Sequence, residues 1–91
     1  MTGALVPDRN PAIAWLRIPF GNSGKASYSM IANERRTGYR VQWCGHPTAL
    51  RPYYITGPRA DRASCAAYRS SKDARAEAER IYREELAELA S

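Results

Sequence analysis

Convergent acids, bases and metal ligands are scarce in this sequence. It holds one histidine, His46, two cysteines, Cys44 and Cys65, and only three carboxylates, Asp8, Glu34 and Asp61, ahead of residue 70. A hydrolase or nuclease site is assembled from just those groups held together, so general acid–base catalysis has little to build on. Cys44 and His46 lie close in sequence but flank a glycine, with no third group to orient them, and His46 reads as a loop residue rather than the base of a thiol nucleophile. Zinc would need paired Cys/His ligands, and Cys44, His46 and Cys65 supply no second pair. No metal and no cofactor are expected, and the chain reads as a non-enzymatic binding protein. The catalytic alternative is a basic ribonuclease of the toxin kind, working with arginines and one histidine, although nothing positions His46 for it.

Long hydrophobic runs are also missing. No stretch approaches the roughly 18 apolar residues that cross a bilayer, and Met1 to Asn10 lacks a basic segment followed by an apolar one. Two cysteines permit one disulfide, but a small secreted scaffold usually carries four or more; the reading is two buried thiols in a reducing cytosol. At 91 residues, with 44% hydrophobic and 25% charged residues, the composition is that of an ordinary globular domain.

Charge is what the chain does have, and it is segregated. Residues 1–69 carry ten Lys/Arg against three carboxylates, a balance of +7, whereas residues 70–91 carry four against six, a balance of −2. Nine of the first ten cations are arginine, whose planar fork suits phosphates and base edges.

The first eleven residues, with Gly3, Pro7 and Pro11, predict a loose N-terminal arm, followed by one α+β domain over 12–91. From Ile13 to Phe20 alternation puts Ala14, Leu16, Ile18 and Phe20 on one face and Ile13, Trp15 and Arg17 on the other, and Pro19 places this strand at an edge. Gly21-Asn22-Ser23-Gly24 is turn chemistry, predicting a hairpin into Lys25–Ala32. Its Gly-x-x-Gly spacing echoes a single-stranded RNA clamp, and Gly24-Lys25 the end of a phosphate-binding loop; Pro19 and Ala26 stand where that loop needs glycine and a hydroxyl. Residues 26–36 fit both a strand and a short helix. Asn33 to Gly38 predicts a polar loop, Tyr39 to Cys44 alternates cleanly as a strand, Tyr53 to Thr56 is a second β-forming run, and Ser64 to Arg69 adds a short last strand. Ser70 caps a helix whose apolar stripe is Ala74, Ala78, Ile81, Tyr82, Leu86 and Leu89, with Glu79 and Arg83 spaced for an ion pair. The fold class is therefore α+β, a mostly antiparallel sheet of three to five strands with one C-terminal helix packed on one face.

With Tyr39, Val41 and Trp43 turned to the core, Arg40 and Gln42 face outward beside Tyr54 and Arg17. Arginine and glutamine are the types that read guanine and adenine edges, though the same types are common on any solvated sheet face. Lys25 at the hairpin, and Arg35, Arg36, Arg51, Arg59 and Arg62 in predicted loops, would grip phosphates or simply keep the protein soluble. Trp15 and Tyr68 read as core.

Gly38-Tyr39-Arg40-Val41-Gln42-Trp43, then Arg51-Pro52-Tyr53-Tyr54-Ile55, then Tyr68 ahead of the capped helix from Ser70 to Ala78, resembles the arm-type DNA-binding domain of phage tyrosine integrases. The resemblance covers residues 38–89 and implies a three-stranded sheet entering the major groove with the helix behind it. Residues 12–33 add structure that family does not need, and without an integrase catalytic domain the resemblance implies a stand-alone relative. The Ser70-Ser71-Lys72 start is also similar to the final helix of a double-stranded RNA-binding domain, without that helix's lysine pair. Small arginine-rich proteins lacking a catalytic set resemble, in addition, phage-encoded inhibitors such as anti-CRISPR proteins, which implies steric blockade of a host nucleoprotein. The expected partner is thus nucleic acid or a host nucleoprotein complex.

Overall fold

Four strands follow one another as an antiparallel meander: β1 (Ile13–Pro19), β2 (Ala26–Ala32), β3 (Arg35–Trp43) and β4 (Tyr53–Thr56), in the spatial order β1-β2-β3-β4. A 3-10 turn (Ala60–Arg62) leads into the single helix α1 (Ser71–Ala90). The structure is a computed structural model and describes residues 11–90. The expected arm lies outside the described residues except for Pro11, which is buried.

β1 forms one edge of the sheet, as Pro19 requires. The loop after it is closed by the Phe20 N–H donating to the Lys25 carbonyl at 2.9 Å and by the Ser23 hydroxyl donating to the Phe20 carbonyl at 2.7 Å. Residues 26–32, which fit two periods in the sequence, are strand, because they are paired on both sides.

The expected loop over Asn33–Gly38 is instead a two-residue turn. Asn33 and Glu34 have φ of 51° and 66°, the left-handed pair that matches the twist of a hairpin, so β3 already starts at Arg35. Ser29 pairs with Arg40 and Ile31 with Arg36, leaving residues 37–39 to face Met30 alone in a bulge. The Thr37 hydroxyl fills the interrupted ladder, donating to the Met30 carbonyl at 3.3 Å and accepting from the Tyr39 N–H at 3.2 Å.

The Cys44 N–H donates to the Pro52 carbonyl at 2.7 Å, closing the loop into β4. The strand expected over Ser64–Arg69 is reduced to one bridge between Tyr53 and Tyr68. Neither cysteine is buried as expected: Cys65 is exposed, Cys44 is half-buried, and both are free thiols.

Ser70 caps α1, its hydroxyl accepting from the Asp73 N–H at 3.2 Å. Ala74, Ala78 and Ile81 are fully buried on the sheet, where Met30 and Tyr39 form the centre of the core and Ile13, Trp15, Ile55 and Tyr82 pack around them. Met30, Tyr39, Val41 and Ile81 are the largest fully buried side chains, each contributing roughly 2 kcal/mol. The predicted stripe outruns its support: Leu89 is 65% exposed. Among the described residues no helix is long and apolar enough to cross a membrane.

Candidate interaction surface

Alternation along each strand sends one set of side chains toward α1 and the other to the uncovered face. The pairing register orders the second set into rows. Leu16, Ser29, Arg40 and Thr56 make one row across all four strands. Ile18 and Ser27 run into Gln42 and Tyr54 in the next, with the Ser27 hydroxyl donating to Gln42 Oε1 at 3.2 Å. Ala14, Ile31 and Arg36 make the third.

Each row passes from apolar on β1, through small or apolar groups on β2, to cationic and hydrogen-bonding groups on β3 and β4. Ser27 and Ser29 are buried, so the middle of the face is a low floor between two taller sides. Gln42 is half-buried, and with its carbonyl oxygen accepting from Ser27 its amide N–H groups are the donor capacity that remains. Arg40 and Tyr54 are exposed. Not one Asp or Glu occurs in any of the four strands.

Arg36, Arg40, Gln42 and Tyr54 are thus brought together, and Arg17 is not. The register pairs Arg17 with Tyr28, whose next partner is the buried Val41, so Arg17 lies on the helix side of the sheet. The reason is its neighbour: Trp15 turns inward to pack on the core and donates its indole N–H to Glu79, and period two carries Arg17 to the same side. There Tyr28 sits beneath the Arg75 guanidinium at 4.5 Å. A bond with Ser71 lowers the Tyr28 hydroxyl below its ordinary range, with Arg17 and Arg75 adding to the effect and burial opposing it.

Arg59 and Arg62 are taken up by the helix. Arg59 stands 3.8 Å from Glu85 and 3.7 Å from Glu88, and Arg62 meets Glu88 with both terminal nitrogens, holding that carboxyl below its usual range. Glu85 also accepts from the buried Tyr39 hydroxyl at 3.0 Å; burial first, then this carboxylate, pushes Tyr39 up to about 12. These two arginines are engaged by helix carboxylates and fasten the loop before α1. Arg35 and Arg36 belong to β3, not to a loop. Lys25 and Arg51 are exposed at the end of the sheet away from them, where Phe20 meets Trp43 edge to face at 5.3 Å.

The same face has an apolar half that net charge does not reveal. Leu16 and Ile18 are 46% and 44% exposed, beside Ala14 and Ile31. The signal was present in the alternation of β1, which separates these residues from Trp15. His46 is an exposed loop residue, and among the described residues no group of His, Cys, Asp or Glu is arranged to hold a metal ion.

The fold and surface define an α+β chain with a helix-backed sheet and an open face whose strands carry no carboxylate, Glu34 of the β2–β3 turn lying at its Ala14–Ile31 end. No family model matches the chain, and comparison with curated proteins and with solved structures gives no significant match.

Proposed function

We propose that this chain is a small non-catalytic binding protein, of phage or mobile-element origin, that contacts nucleic acid, free or within a nucleoprotein, through the β3–β4 half of its open sheet face. The observation that carries the reading is the gathering of Arg36, Arg40, Gln42 and Tyr54 on one uncovered face whose strands contain no carboxylate. A two-stranded ribbon is of the width that a major groove admits, and arginine and glutamine carry the donors that read purine edges there. The acidic residues of α1 lie behind the sheet, where they do not oppose a phosphate backbone. Arg40 and Gln42 act as readers of base edges, Tyr54 as an apolar and hydroxyl contact, and Arg36, Lys25 and Arg51 as phosphate contacts toward the two ends.

Binding to a mixed-sequence duplex across a salt series tests this. A linear fall of log affinity with log salt is expected, with a slope set by the phosphates neutralised. Absence of binding at low salt removes the reading.

One observation favours a second reading. Leu16, Ile18 and Ile31 offer apolar surface that phosphates cannot cover, as a protein-directed inhibitor of a host defence nucleoprotein would require. Such a chain would act by steric blockade. Recovery of one stoichiometric protein partner from nuclease-treated host lysate is expected under it, and loss of every partner under nuclease counts against it.

A further inference from the structure

β4 ends opposite Arg40, so the first residues of β3 have a partner strand only on the β2 side. At this overhang Ala32, Asn33, Arg35, Arg36 and Thr37 border a polar cleft closed on the helix side by Tyr82. Arg35 pairs with Ala32 and Arg36 with Ile31, so their side chains leave β3 toward opposite faces of the sheet and flank its free edge like the jaws of a pincer. Among the described residues no carboxylate borders the cleft and neither arginine is in an ion pair. Glu34, next in the chain, lies instead against the depression lined by Ala12, Ala14, Ile31 and Asn33.

We propose that this cleft is an anion site for a phosphate ester, gripped between the Arg35 and Arg36 guanidinium groups, with the Asn33 amide as a further donor. Two charged forks and an amide can supply several charge-assisted hydrogen bonds to one tetrahedral group, which a compact ammonium cannot match. The site stands on its own geometry, while a nucleic-acid backbone as the source of the phosphate rests on the function proposed above. A free phosphorylated small molecule shares the chemistry.

The test is amide chemical-shift titration of the whole chain with inorganic phosphate and, separately, with a short mixed-sequence duplex. Phosphate is expected to move the amides of residues 33–37 and of the helical turn at Tyr82 saturably. The double variant Arg35→Ala, Arg36→Ala should bind it about tenfold or more weakly, the equivalent of about 1.4 kcal/mol. Arg35→Lys with Arg36→Lys should fall between, and Lys72→Ala, at the exposed start of α1, should match the native chain. Shifts spread evenly over Lys25, Arg51 and Lys72, or kept in the double alanine variant, overturn the site. If phosphate saturates the cleft and duplex binds regardless of the double variant, or does not bind at all, the site stands and its phosphate comes from a small molecule. If duplex binds but phosphate moves nothing near residues 33–37, the site is lost while the proposed function survives.

Discussion

The Trp15 indole N–H donates to Glu79 Oε2 at 2.8 Å, tying the edge strand to the middle of a helix 64 residues further along the chain. This bond fixes which side of β1 faces α1, because a one-residue slip would carry Trp15 to the open face and Leu16 under the helix. Trp15→Phe removes the donor and leaves a half-buried carboxylate without it. A loss of about 1–2 kcal/mol in denaturant unfolding is expected. Glu79→Gln keeps an acceptor of the same shape and should cost less than half of that. Equal losses in the two variants would show that ring packing, and not the bond, sets the orientation of β1.

Arg40 and the pair Arg59 and Arg62 have the same charge and opposite roles. Arg40→Ala should weaken duplex binding by about tenfold and relax sequence preference while leaving the salt slope close to native, since it removes a reader of base edges and not a phosphate contact. Arg59→Ala and Arg62→Ala should leave binding close to native and lower the urea midpoint only slightly, as the loss of exposed ion pairs does. Anisotropy titration and urea unfolding on the three variants separate the roles. A binding loss at Arg59 or Arg62 as large as at Arg40 would return both to the recognition surface.

That contrast marks where the sequence is legible. Tyr39 to Trp43 alternates through a strand with two neighbours, and Ser70 with the Ala74, Ala78 and Ile81 spacing specifies a capped amphipathic helix, so both follow from local chemistry. The parity of β1 is legible too. Its facing is not, because Leu16, Ile18 and Phe20 form as good an apolar set as Ile13 and Trp15, and only the helix partner decides. The fate of Arg59 and Arg62 is hidden for a similar reason: Glu85 and Glu88 come within reach only after α1 has docked. Arg35 and Arg36 read as loop residues from sequence because Asn-Glu is not the usual pair for a tight hairpin.

Glu77 is expected to make folding stability fall in acid. Its carboxylate accepts from Arg80 Nε at 2.6 Å, from the Ser64 hydroxyl at 2.6 Å and from the Ser64 N–H at 2.7 Å. The Arg80 bond first, helped by Ser64 and opposed by burial, lowers the Glu77 carboxyl from 4.5 to about 2. A depressed folded value means that the contribution is complete above about pH 4.5 and is lost as pH falls toward 2. With Arg80 half exposed, the loss is about 1 kcal/mol. Unfolding followed from neutral pH downward should show it, and Glu77→Gln should flatten the decline across that window. An unchanged acid slope in the variant would mean that other carboxylates set it.

Glu34 holds φ at 66° in the hairpin, a region that costs a residue with a side chain about 1–2 kcal/mol. Glycine at this position relieves the strain but frees the unfolded chain by about 0.5–1 kcal/mol, so Glu34→Gly should stabilise by roughly 0.5–1 kcal/mol net. It also removes the one carboxylate between residues 12 and 60. The midpoint of urea unfolding should rise while phosphate affinity at residues 33–37 rises modestly. A lowered midpoint would mean that the Glu34 side chain contributes more than its backbone strain costs.

Gly57 is required for a different reason than the other turn glycines. Its φ is 150°, and a Cβ there would come within 2.5 Å of the Tyr39 ring and 3.0 Å of the Tyr39 Cα. Tyr39 cannot yield: its ring is fully buried, stacked edge to face on Tyr82 at 5.9 Å, and its hydroxyl is held by Glu85. Gly57→Ala should therefore cost at least about 2 kcal/mol, combining backbone strain with overpacking. Gly45→Ala is the control, because Gly45 has φ of 87° but open space around it, and backbone strain alone predicts about 1 kcal/mol there. A larger loss at Gly57 than at Gly45 places the β4 exit directly against the core. Equal losses would mean that the chain after Thr56 moves off Tyr39 at little cost, and that Arg59 with Glu85, rather than this contact, holds the connection to α1.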